Sequence, residues 1–476
     1  MTAAESADPS RPAGAPTAAQ EAFLAEVEMR LPGLRLLRDE VDRESYRFDE
    51  TAYLHPGLPL AVALPTETME VAELLRLATA HRVPVVPRGA GTGLSGGAAG
   101  VEGALTIAFT RMDRILEIDR ANLVVVTQPG IVNAALKAAV AAEGLFYAPD
   151  PASYEQCSIG GNLGTNAGGL CCVKYGQTRD SVLGLEVVLA GGEVIRTGGR
   201  TVKDVAGYAL TQLFVGSQGT LGIVTEAILR LRPAPPPRAT LIAFFPSATA
   251  AGQAVRDMTA AGLQPVTLEL MDRFTIAAVD DWHHLGLDRQ AAAMLLVETD
   301  VPGAAAAGEI DRAALACEGA GASDVIRAAN EQEADWLRQG RRMAFRALER
   351  LGVARMEDVG VPRARIPELI EAIEAIGDRH GVRVGTFGHA GDGNLHPTAL
   401  LDPADEDALD AAHAAFDEIF AKAVELDGSI TGEHGVGIVK LPYLEHQLGA
   451  EHVALLRRIK AAFDPHGILN PGKLGS

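Results

Sequence analysis

The amino-acid sequence predicts an α+β protein with two domains, and three observations support this prediction. The chain has 476 residues, more than the roughly 100–200 that are typical of a single domain. Across residues 56–237, short β-rich runs alternate with amphipathic helical stretches. A proline-rich run at residues 233–237 then precedes a second group of strands that are separated by alanine-rich helices.

The first domain is predicted to begin with a βαβ unit. Its parts are a strand in LAVALP, a helix with i, i+3, i+4 apolar spacing in ETMEVAELLRLATAHR, and a strand in VPVVPRG. Further strands are predicted in ALTIAF, NLVVVTQPG, GLEVVLAGGEVIRTG and GIVTEAILRLRP. In the second domain, strands are predicted in ATLIAFFP, VTLELMD and AAAMLLVETD, whereas VGTFGHAGDGNLHP and GSITGEHGVG are predicted to be loop-rich.

Composition and charge argue against several classes of function. The formal charge of −20 repels phosphate polymers and acidic membrane surfaces, so neither nucleic-acid binding nor direct lipid binding is expected. Apolar stretches end well before the ~20 residues that a membrane span needs, so no integral membrane segment is predicted. The four cysteines include no CxxC pair, which argues against an iron–sulfur cluster and favours a cytoplasmic location. Residues 1–20 lack the features of a secretion signal and are predicted to be a disordered tail.

Three glycine-rich segments lie in the first predicted domain, at residues 87–97, 158–169 and 216–222. The first contains GxGxxG after a strand, but a strand rather than a helix follows it, which argues against a Rossmann turn. The backbone N–H groups of such a loop can instead wrap a diphosphate directly. Asparagines in the second segment can hydrogen-bond the edge of a heteroaromatic ring. Any one segment alone could be an ordinary surface loop, but three together indicate a cofactor site.

Histidine and glutamate residues cluster near the C-terminus. GHAGDGNLHP contains His389 and His396, and GEHG contains Glu433 and His434. Two histidines and one carboxylate are a common ligand set for a catalytic metal that keeps an open position for substrate. A hydrogen-bonded loop histidine is the alternative for each residue, and the pattern alone leaves both interpretations open.

Five motifs together resemble the FAD-binding half of the vanillyl-alcohol oxidase/p-cresol methylhydroxylase (PCMH) superfamily: PRGAGTGLSGGA, CSIGGNLGTNAGG, KYGQTRDSVLGLEVVLAGG, GGRTVKDVAGY and LFVGSQGTLGIVTE. The chain resembles the branch that holds D-lactate dehydrogenases, glycolate oxidase flavin subunits and D-2-hydroxyglutarate dehydrogenases. This resemblance implies a two-part PCMH-type FAD-binding domain over residues 21–232 and a cap (substrate) domain with an antiparallel sheet over residues 233–430. It also implies that residues 431–476 complete the active site and return to the FAD domain.

The resemblance further implies a set of residues that contact FAD. In the first domain these are Pro87, Arg88, Gly89, Ala90, Gly91, Thr92, Gly93, Leu94, Ser95, Pro129, Gly130, Pro149, Asp150, Ser158, Gly160, Gly161, Asn162, Thr165, Asn166, Ala167, Gly168, Gly219, Gly222, Ile223 and Val224. Asn394 and Asn470 are expected to contact the flavin ring. No histidine or cysteine within residues 89–97 is placed to bond the flavin, so FAD is expected to be non-covalent. Gln218 stands where the family usually has Glu, and little effect is expected.

The C-terminal motifs resemble those of the metal-dependent 2-hydroxyacid dehydrogenases. The resemblance implies that His389, His396 and Glu433 hold a divalent metal, with Zn²⁺ preferred over Mn²⁺ or Fe²⁺, and that His434 is the general base. Arg341, in WLRQGRRMAF, matches the arginine that binds the substrate carboxylate. The alternative for Arg341 is a position on a solvated helix face.

Substrate size is predicted from one departure from the family pattern. Met356 stands where the D-2-hydroxyglutarate branch has a lysine for a second carboxylate, which favours a small monocarboxylate such as D-lactate or glycolate. Arg355, next to it, could replace that lysine.

The predicted activity is oxidation of a small 2-hydroxyacid to the 2-oxoacid by hydride transfer to FAD. The electrons must then pass to an external acceptor (a quinone, a cytochrome, an electron-transfer flavoprotein or an iron–sulfur subunit), because the chain has no cluster cysteines of its own. Alternatives are the flavin subunit of a multi-subunit glycolate oxidase, a D-2-hydroxyglutarate dehydrogenase, and a binding protein that has lost redox chemistry. A homodimer, and a peripheral membrane location through a partner, are left open.

Overall fold

The strands and helices of the protein alternate along most of the chain. A computed structural model describes residues 16–51, 53–401 and 405–475. The strands are β1 (Arg35–Leu37), β2 (Ala61–Leu64), β3 (Val85–Arg88), β4 (Leu105–Ala108), β5 (Ile115–Asp119), β6 (Val124–Thr127), β7 (Leu145–Phe146), β8 (Val182–Val188), β9 (Val194–Gly198), β10 (Ile223–Arg230), β11 (Arg232–Pro233), β12 (Ala239–Phe245), β13 (Thr267–Asp272), β14 (Ala293–Thr299), β15 (Asp324–Arg327), β16 (Val353–Met356), β17 (Val359–Gly360), β18 (Val384–His389) and β19 (Asn394–Leu401). The helices are α1 (Ala18–Arg30), α2 (Glu40–Glu44), α3 (Thr68–His81), α4 (Asn133–Ala142), α5 (Ile159–Thr165), α6 (Cys172–Tyr175), α7 (Leu210–Phe214), α8 (Ala248–Ala260), α9 (Arg273–His283), α10 (Ala305–Gly319), α11 (Glu331–Arg342), α12 (Ala344–Glu349), α13 (Ile366–His380), α14 (Glu406–Glu425), α15 (Leu444–Leu448) and α16 (Ala450–Phe463).

Two large sheets with separate cores form most of the first domain, and β7 and β11 pair in a further, two-stranded sheet. In the four-stranded sheet, of order β1-β2-β4-β3, β4 pairs in parallel with β2 and with β3. Helices α1 and α3 cover this sheet and bury Phe23, Leu74 and Leu75 against it. The five-stranded sheet, of order β5-β6-β10-β8-β9, is antiparallel, and Leu136 of α4 and Leu163 of α5 lie in its core. The two-part organisation of this domain agrees with the prediction.

Helix α1 begins inside the stretch that was expected to be a disordered tail. Residues 1–15 of that tail lie outside the described residues. From Thr17 onward the expectation is wrong, because Thr17 and Gln20 form a capping box that starts the helix. The Thr17 hydroxyl accepts a hydrogen bond from the Gln20 N–H, and the Gln20 side chain accepts one from the Thr17 N–H. Such a cap typically contributes about 1 kcal/mol to helix stability.

The second domain is built on one antiparallel sheet of order β15-β12-β14-β13-β18-β19-β16, with β17 also paired to β19. Side chains alternate between its two faces along each strand. On β12, for example, Leu241 and Ala243 belong to the core on one face and Ile242 and Phe244 to the core on the other. The predicted α+β fold with an antiparallel sheet in the cap domain is therefore confirmed.

The segment VGTFGHAGDGNLHP is a β-hairpin, so the prediction that it is loop-rich is wrong. Strands β18 and β19 pair in register from Val384–Ala399 to His389–Asn394, with a turn at residues 390–393 between them. On the outer edges of the hairpin, β13 pairs with β18 and β16 pairs with β19. The glycines and polar residues that suggested a loop therefore lie within a four-stranded part of the sheet. Residues 428–437, by contrast, contain no helix or strand beyond a bridge between Ser429 and Gly360.

The C-terminal segment returns to the first domain, as predicted. Leu469 forms a parallel bridge with Val85 of β3, and the Asn470 N–H donates to the Val85 carbonyl at 2.7 Å. The ammonium of Lys473, fully buried, donates to the Ala99 carbonyl at 2.8 Å. Within the described ranges of the chain, no helix is both long enough and apolar enough to cross a membrane.

Candidate functional site

A cavity of about 700 Å³ lies between the glycine-rich segments of the first domain and the sheet of the second. Its size is within the range of about 300–1,000 Å³ that is common for ligand and cofactor sites. Of the residues predicted to contact FAD, its walls include Pro87, Arg88, Gly89, Ala90, Gly91, Thr92, Gly93, Leu94, Ser95, Pro129, Gly160, Gly161, Asn162, Thr165, Ala167, Gly168, Gly219, Gly222, Ile223 and Val224. The structure also brings Arg341, His389, His396, Glu433 and His434 to the same cavity.

The first glycine-rich segment is held in shape by the Arg88 side chain. The Arg88 guanidinium donates to the carbonyls of Ala98 and Phe48 at 3.2 and 2.7 Å. Gly91 curls around that side chain with φ +80°, and a Cβ there would lie 2.2 Å from Arg88 Nη2. A side chain at residue 91 is therefore excluded both by the backbone conformation and by space.

The second glycine-rich segment is partly helical. Residues 159–165 form α5, with the Ser158 hydroxyl accepting from the Gly161 N–H at 3.2 Å, so the prediction of a loop there is wrong. The helix lies against residue 129, because a Cβ on Gly160 would come within 2.7 Å of Pro129 Cβ. Its three glycines, at residues 160, 161 and 164, carry no side chains, so the backbone of the helix forms part of the cavity wall.

Seven residues predicted to contact FAD are not among the residues of the cavity walls: Gly130, Pro149, Asp150, Ser158, Asn166, Asn394 and Asn470. Ser158 and Asn470 form hydrogen bonds with residues of the wall. Asp150 accepts from the Cys171 N–H at 3.2 Å, and Asn470 donates to the carbonyls of Gly97 and Gln218 at 2.9 and 2.7 Å. The amide oxygens of Asn394 and Asn470 are buried and have no hydrogen-bond partner.

Gln218 joins the third glycine-rich segment to the C-terminal segment. It adopts φ +53°, and its Oε1 accepts from the Gly437 N–H at 2.9 Å. A glutamate could accept the same hydrogen bond. The structure therefore gives a local reason why glutamine is compatible with this position.

His389, His396 and Glu433 come together at one end of the cavity. The hairpin β18–β19 carries the two histidines, and the loop at residues 428–437 carries the glutamate. Glu433 Oε1 is 3.2 Å from His389 Nε2 and 3.3 Å from His396 Nε2. One ligand atom from each of the three residues lies within 4.8 Å of the others, so the set could hold one metal ion.

His434 lies beside this cluster and is supported from behind by Asp358. Its ring is stacked on His396 with centroids 5.2 Å apart, and its Nε2 is 4.0 Å from Glu433 Oε1. Its Nδ1 is 3.4 Å from Asp358 Oδ1. Asp358 Oδ2 also accepts from three consecutive backbone N–H groups, those of residues 432, 433 and 434, at 2.6, 2.8 and 3.2 Å. This one carboxylate therefore shapes the loop that carries both Glu433 and His434.

The charges around the cluster give its members different proton affinities. Burial lowers the pKa of His434 to about 4 although Asp358 opposes this, so its imidazole is neutral near pH 7. Burial alone would lower the pKa of His389, but the negative charges of Glu269 and Glu433 have the larger effect and raise that pKa well above its ordinary value. Burial raises the pKa of Glu433, but the two histidines overcome it and hold that pKa well below its usual range.

Arg341 is buried rather than solvated, which rules out the exposed helix face as its environment. It is 4% exposed at the end of α11. Its Nη2 pairs with Glu269 Oε2 at 2.6 Å, and its guanidinium lies 4.9 Å from the centroid of the Phe387 ring. The Nε–H of Arg341 has no hydrogen-bond partner.

Arg355 does not take the place of the missing lysine. Met356 lines the cavity, whereas Arg355 is not among the residues of its walls. Arg355 is instead buried between the rings of Tyr53 and Phe416 and donates to Glu357 Oε1 at 3.2 and 3.1 Å. The suggestion that Arg355 replaces the lysine is therefore wrong.

Sequence reasoning missed three residues of this site: Glu269, Asp358 and Lys440. Lys440 is fully buried and its ammonium pairs with Asp358. Asp358 stands in the EDVGVP motif that follows Arg341 in the chain, so its motif could have identified it. Glu269 lies in VTLELMD, where one glutamate between the leucines of a predicted strand gives no signal of function.

Comparisons with known proteins agree with this architecture. Residues 59–198 match the family of FAD binding domains, and residues 234–474 match the C-terminal domain of FAD linked oxidases. The glycolate oxidase subunit GlcD of Bacillus subtilis is 47% identical over 430 residues, covering 90% of this chain and 91% of that protein. The chain belongs to the FAD-linked oxidase family. Within that family it is an oxidoreductase of the group that includes GlcD, D-lactate dehydrogenase and D-2-hydroxyglutarate dehydrogenase.

Two further relatives belong to the same group, and one solved structure has a similar fold. D-lactate dehydrogenase of Anaerostipes hadrus is 36% identical, covering 92% of this chain and 94% of that protein. D-2-hydroxyglutarate dehydrogenase of Xanthomonas citri is 37% identical, covering 95% and 96%. The structure of p-cresol methylhydroxylase has a TM-score of 0.82, with 17% identity and 98% coverage of both chains. This last likeness concerns the fold alone.

Proposed function

We propose that the protein is an FAD- and metal-dependent dehydrogenase that oxidises a small 2-hydroxyacid, such as D-lactate or glycolate, to the 2-oxoacid. One observation carries the proposal. A cluster of two histidines and a glutamate, with a neutral histidine beside it and a buried arginine nearby, faces the same cavity as the walls of an FAD-binding domain. No single one of these features would support the proposal by itself.

The residues around the cavity fit a non-covalent FAD. The walls formed by residues 87–95, 160–168 and 219–224 would hold it, since they offer backbone groups with few side chains in the way. Asn470 would support this site indirectly, because its side chain donates to the carbonyls of Gly97 and Gln218 in the wall. FAD supplies the acceptor for the electron pair that leaves C2 of the substrate.

The cluster fits a divalent metal ion. His389, His396 and Glu433 would be its three protein ligands, a set that suits Zn²⁺ and leaves a position for substrate. The two imidazole Nε2 atoms lie 3.2 and 3.3 Å from Glu433 Oε1, and this proximity of the three candidate ligand atoms supports the assignment. Such an ion lowers the pKa of a hydroxyl group bound to it.

His434 would act as the general base. Its neutral imidazole can accept the hydroxyl proton at Nε2, the nitrogen nearer to Glu433. Asp358, at 3.4 Å from Nδ1, would orient the ring and stabilise the imidazolium that forms. Burial disfavours the charged form of Asp358, but the ammonium of Lys440 and the three backbone N–H donors hold its pKa well below the usual range, so it would stay ionised while it does so.

Arg341 would bind the substrate carboxylate. A guanidinium that is buried and keeps an unpartnered Nε–H is suited to a planar anion. Met343, Phe345 and Met356 also line the cavity, and Arg355 is withdrawn from it. These features favour a substrate with one carboxylate and a small or apolar remainder, and they disfavour 2-hydroxyglutarate.

Reoxidation of the flavin requires an external acceptor: a quinone, a cytochrome, an electron-transfer flavoprotein or an iron–sulfur subunit. The B. subtilis relative is a glycolate oxidase subunit, so the second candidate function is that of the flavin subunit in such an assembly. A cytoplasmic location, alone or at a membrane through a partner, fits either candidate.

A screen of 2-hydroxyacids with a dye as electron acceptor tests the proposal. We expect reduction of the dye with glycolate or D-lactate, and little with D-2-hydroxyglutarate or L-lactate. Activity of the chain alone would favour the independent dehydrogenase. Flavin reduction without dye turnover, restored by partner subunits, would favour the assembly. A protein that binds FAD but oxidises none of these acids would contradict both.

A further inference from the structure

Glu269 joins two parts of the site that are far apart in the sequence. It lies on β13, is 1% exposed, and projects from the sheet between Leu268 and Leu270, which belong to the core on the opposite face. Its Oε1 is 2.7 Å from His389 Nδ1, and its Oε2 is 2.6 Å from Arg341 Nη2. A carboxylate in the middle of a buried sheet is costly unless it is paired, and these are the partners it has.

The contact with His389 determines which nitrogen of that ring keeps its proton when a metal binds. An ionised carboxylate can only accept hydrogen bonds, so Nδ1 of His389 must donate. Nε2 is then the nitrogen left for a metal, and it is the one that faces Glu433 at 3.2 Å. A carboxylate behind a ligating histidine fixes the ring orientation and makes the free nitrogen a stronger ligand.

The contact with Arg341 orients the guanidinium on the same carboxylate. Nη2 is held by Glu269 while the plane of the guanidinium lies near the Phe387 ring. These two contacts leave Nε–H without a partner. The geometry of Arg341 and that of His389 therefore depend on one side chain.

We propose that Glu269 is a positioning residue that sets the distance and orientation between the carboxylate-binding Arg341 and the metal ligand His389. This inference rests on the proposed function, because it assigns those two residues their roles. It adds that metal affinity and substrate affinity are coupled through Glu269. Substrate bound by Arg341 and a metal held by His389 would then be aligned by a single rigid strand.

The contrasting interpretation is a buried ion pair that only stabilises the fold. The neighbouring strand β14 offers a matched control in Glu298, which is also fully buried. Glu298 pairs with Arg238 at 2.9 Å and with Arg338 at 2.7 Å. Arg338 lies on the same helix as Arg341, so Glu298→Gln loosens that helix without touching His389.

The test uses the FAD-bound protein stripped of metal and titrated with Zn²⁺ against a chromophoric chelator. We expect Glu269→Gln to weaken Zn²⁺ binding about 10- to 100-fold and to raise the KM for glycolate as well. Arg341→Lys keeps a cation beside Glu269 but loses the planar set of N–H donors that matches a carboxylate. It should therefore raise the KM for glycolate and leave the Zn²⁺ affinity within twofold of that of the unaltered protein. Glu298→Gln should lower thermal stability and change neither quantity.

The outcomes separate this inference from the proposed function. If Glu269→Gln binds Zn²⁺ as the unaltered protein does, the inference is wrong and the proposed function stands. If the unaltered protein binds Zn²⁺ but oxidises no 2-hydroxyacid, the proposed function is wrong while the weakened binding in Glu269→Gln still supports a positioning role toward the metal. If Glu298→Gln weakens Zn²⁺ binding equally, the effect is that of general loosening and the inference fails.

A second measurement applies if Glu269→Gln does not fold. Nitrogen-15 spectra of histidine-labelled, Zn²⁺-loaded protein report the protonated nitrogen of each ring, with His389 assigned by its loss in His389→Gln. We expect a directly bonded proton on Nδ1 of His389. A proton on Nε2, or metal on Nδ1, would overturn the inference.

Discussion

Gly168 allows the first domain to approach Glu433, one of the three proposed metal ligands. A Cβ at residue 168 would lie 2.3 Å from Glu433 Oε2 and 3.1 Å from Glu433 Cβ. Ordinary contact begins at 3.4 Å, so Gly168→Ala must displace the carboxylate by about 1 Å. Rotation of the Glu433 side chain relieves the contact with Oε2 at a cost of about 1 kcal/mol. The contact with Cβ needs a further shift of only a few tenths of an ångström, so the fold should survive.

Displacement of Glu433 should reduce turnover and Zn²⁺ affinity far more than it reduces the stability of the fold. A misplacement of ~1 Å at a catalytic group can reduce the rate about 100-fold. We therefore expect Gly168→Ala to lose about 100-fold in turnover and to bind Zn²⁺ more weakly, while its unfolding temperature and FAD content stay near those of the unaltered protein. Dye-coupled turnover, chelator competition and flavin absorbance measure the three quantities.

Gly360 provides the control for this substitution. It also borders the loop at residues 428–437, but a Cβ there would have only Ser429 Cβ as a neighbour, at 3.9 Å. Gly360→Ala should therefore keep its activity. Full turnover and Zn²⁺ affinity in Gly168→Ala would refute the argument, because they would mean that the position of Glu433 is unimportant.

Three further predictions concern other buried groups. Asp358→Asn should destabilise the protein by about 3 kcal/mol, because the ammonium of Lys440 loses the nearer of its two buried carboxylate partners and keeps only Glu357, at 3.8 Å; a change below 1 kcal/mol in chemical denaturation would contradict this. Exhaustive chelation should abolish turnover and leave FAD bound, and His396→Ala should reproduce that state; full activity with no metal present would contradict the assignment of the ligands. Burial raises the pKa of Asp272 to about 6, so the folded state holds this proton more tightly than the unfolded state, whose pKa is about 3.9. As the pH rises from about 4 to about 6, the free energy of unfolding should therefore fall by on the order of 3 kcal/mol relative to that of Asp272→Asn. Equal pH profiles for the two proteins would contradict this.

The sequence predicted those parts of the site that lie in local motifs. His389 and His396 are seven residues apart in the sequence, and the hairpin that carries them places both on the cavity. Glu433 and His434 are adjacent and stand in one loop. The pattern alone left a metal site and ordinary hydrogen-bonded loop histidines both open, and the family resemblance assigned the roles. The strands of the hairpin were not recognised, because glycines and histidines interrupt their apolar pattern.

The partners of these residues could not be predicted from local patterns. Glu269 is 120 positions from His389 along the chain, and only the pairing of β13 with β18 brings them together. The suggestion that Arg355 replaces the missing lysine was wrong for the same reason, because it relied only on the position of Arg355 next to Met356 in the sequence. Successive residues of a strand point to opposite faces, so Met356 reaches the cavity and Arg355 cannot.

Anaerobic reduction of the bound flavin by substrate tests the proposed function most directly. It requires no electron acceptor, so it is independent of any partner subunit. We predict that glycolate or D-lactate bleaches the flavin absorbance of the Zn²⁺-loaded protein within a single turnover, and that His434→Ala binds FAD and Zn²⁺ normally but is reduced at least 100-fold more slowly. Reduction of His434→Ala at the unaltered rate, or no reduction of either protein by any 2-hydroxyacid, would contradict the proposed function.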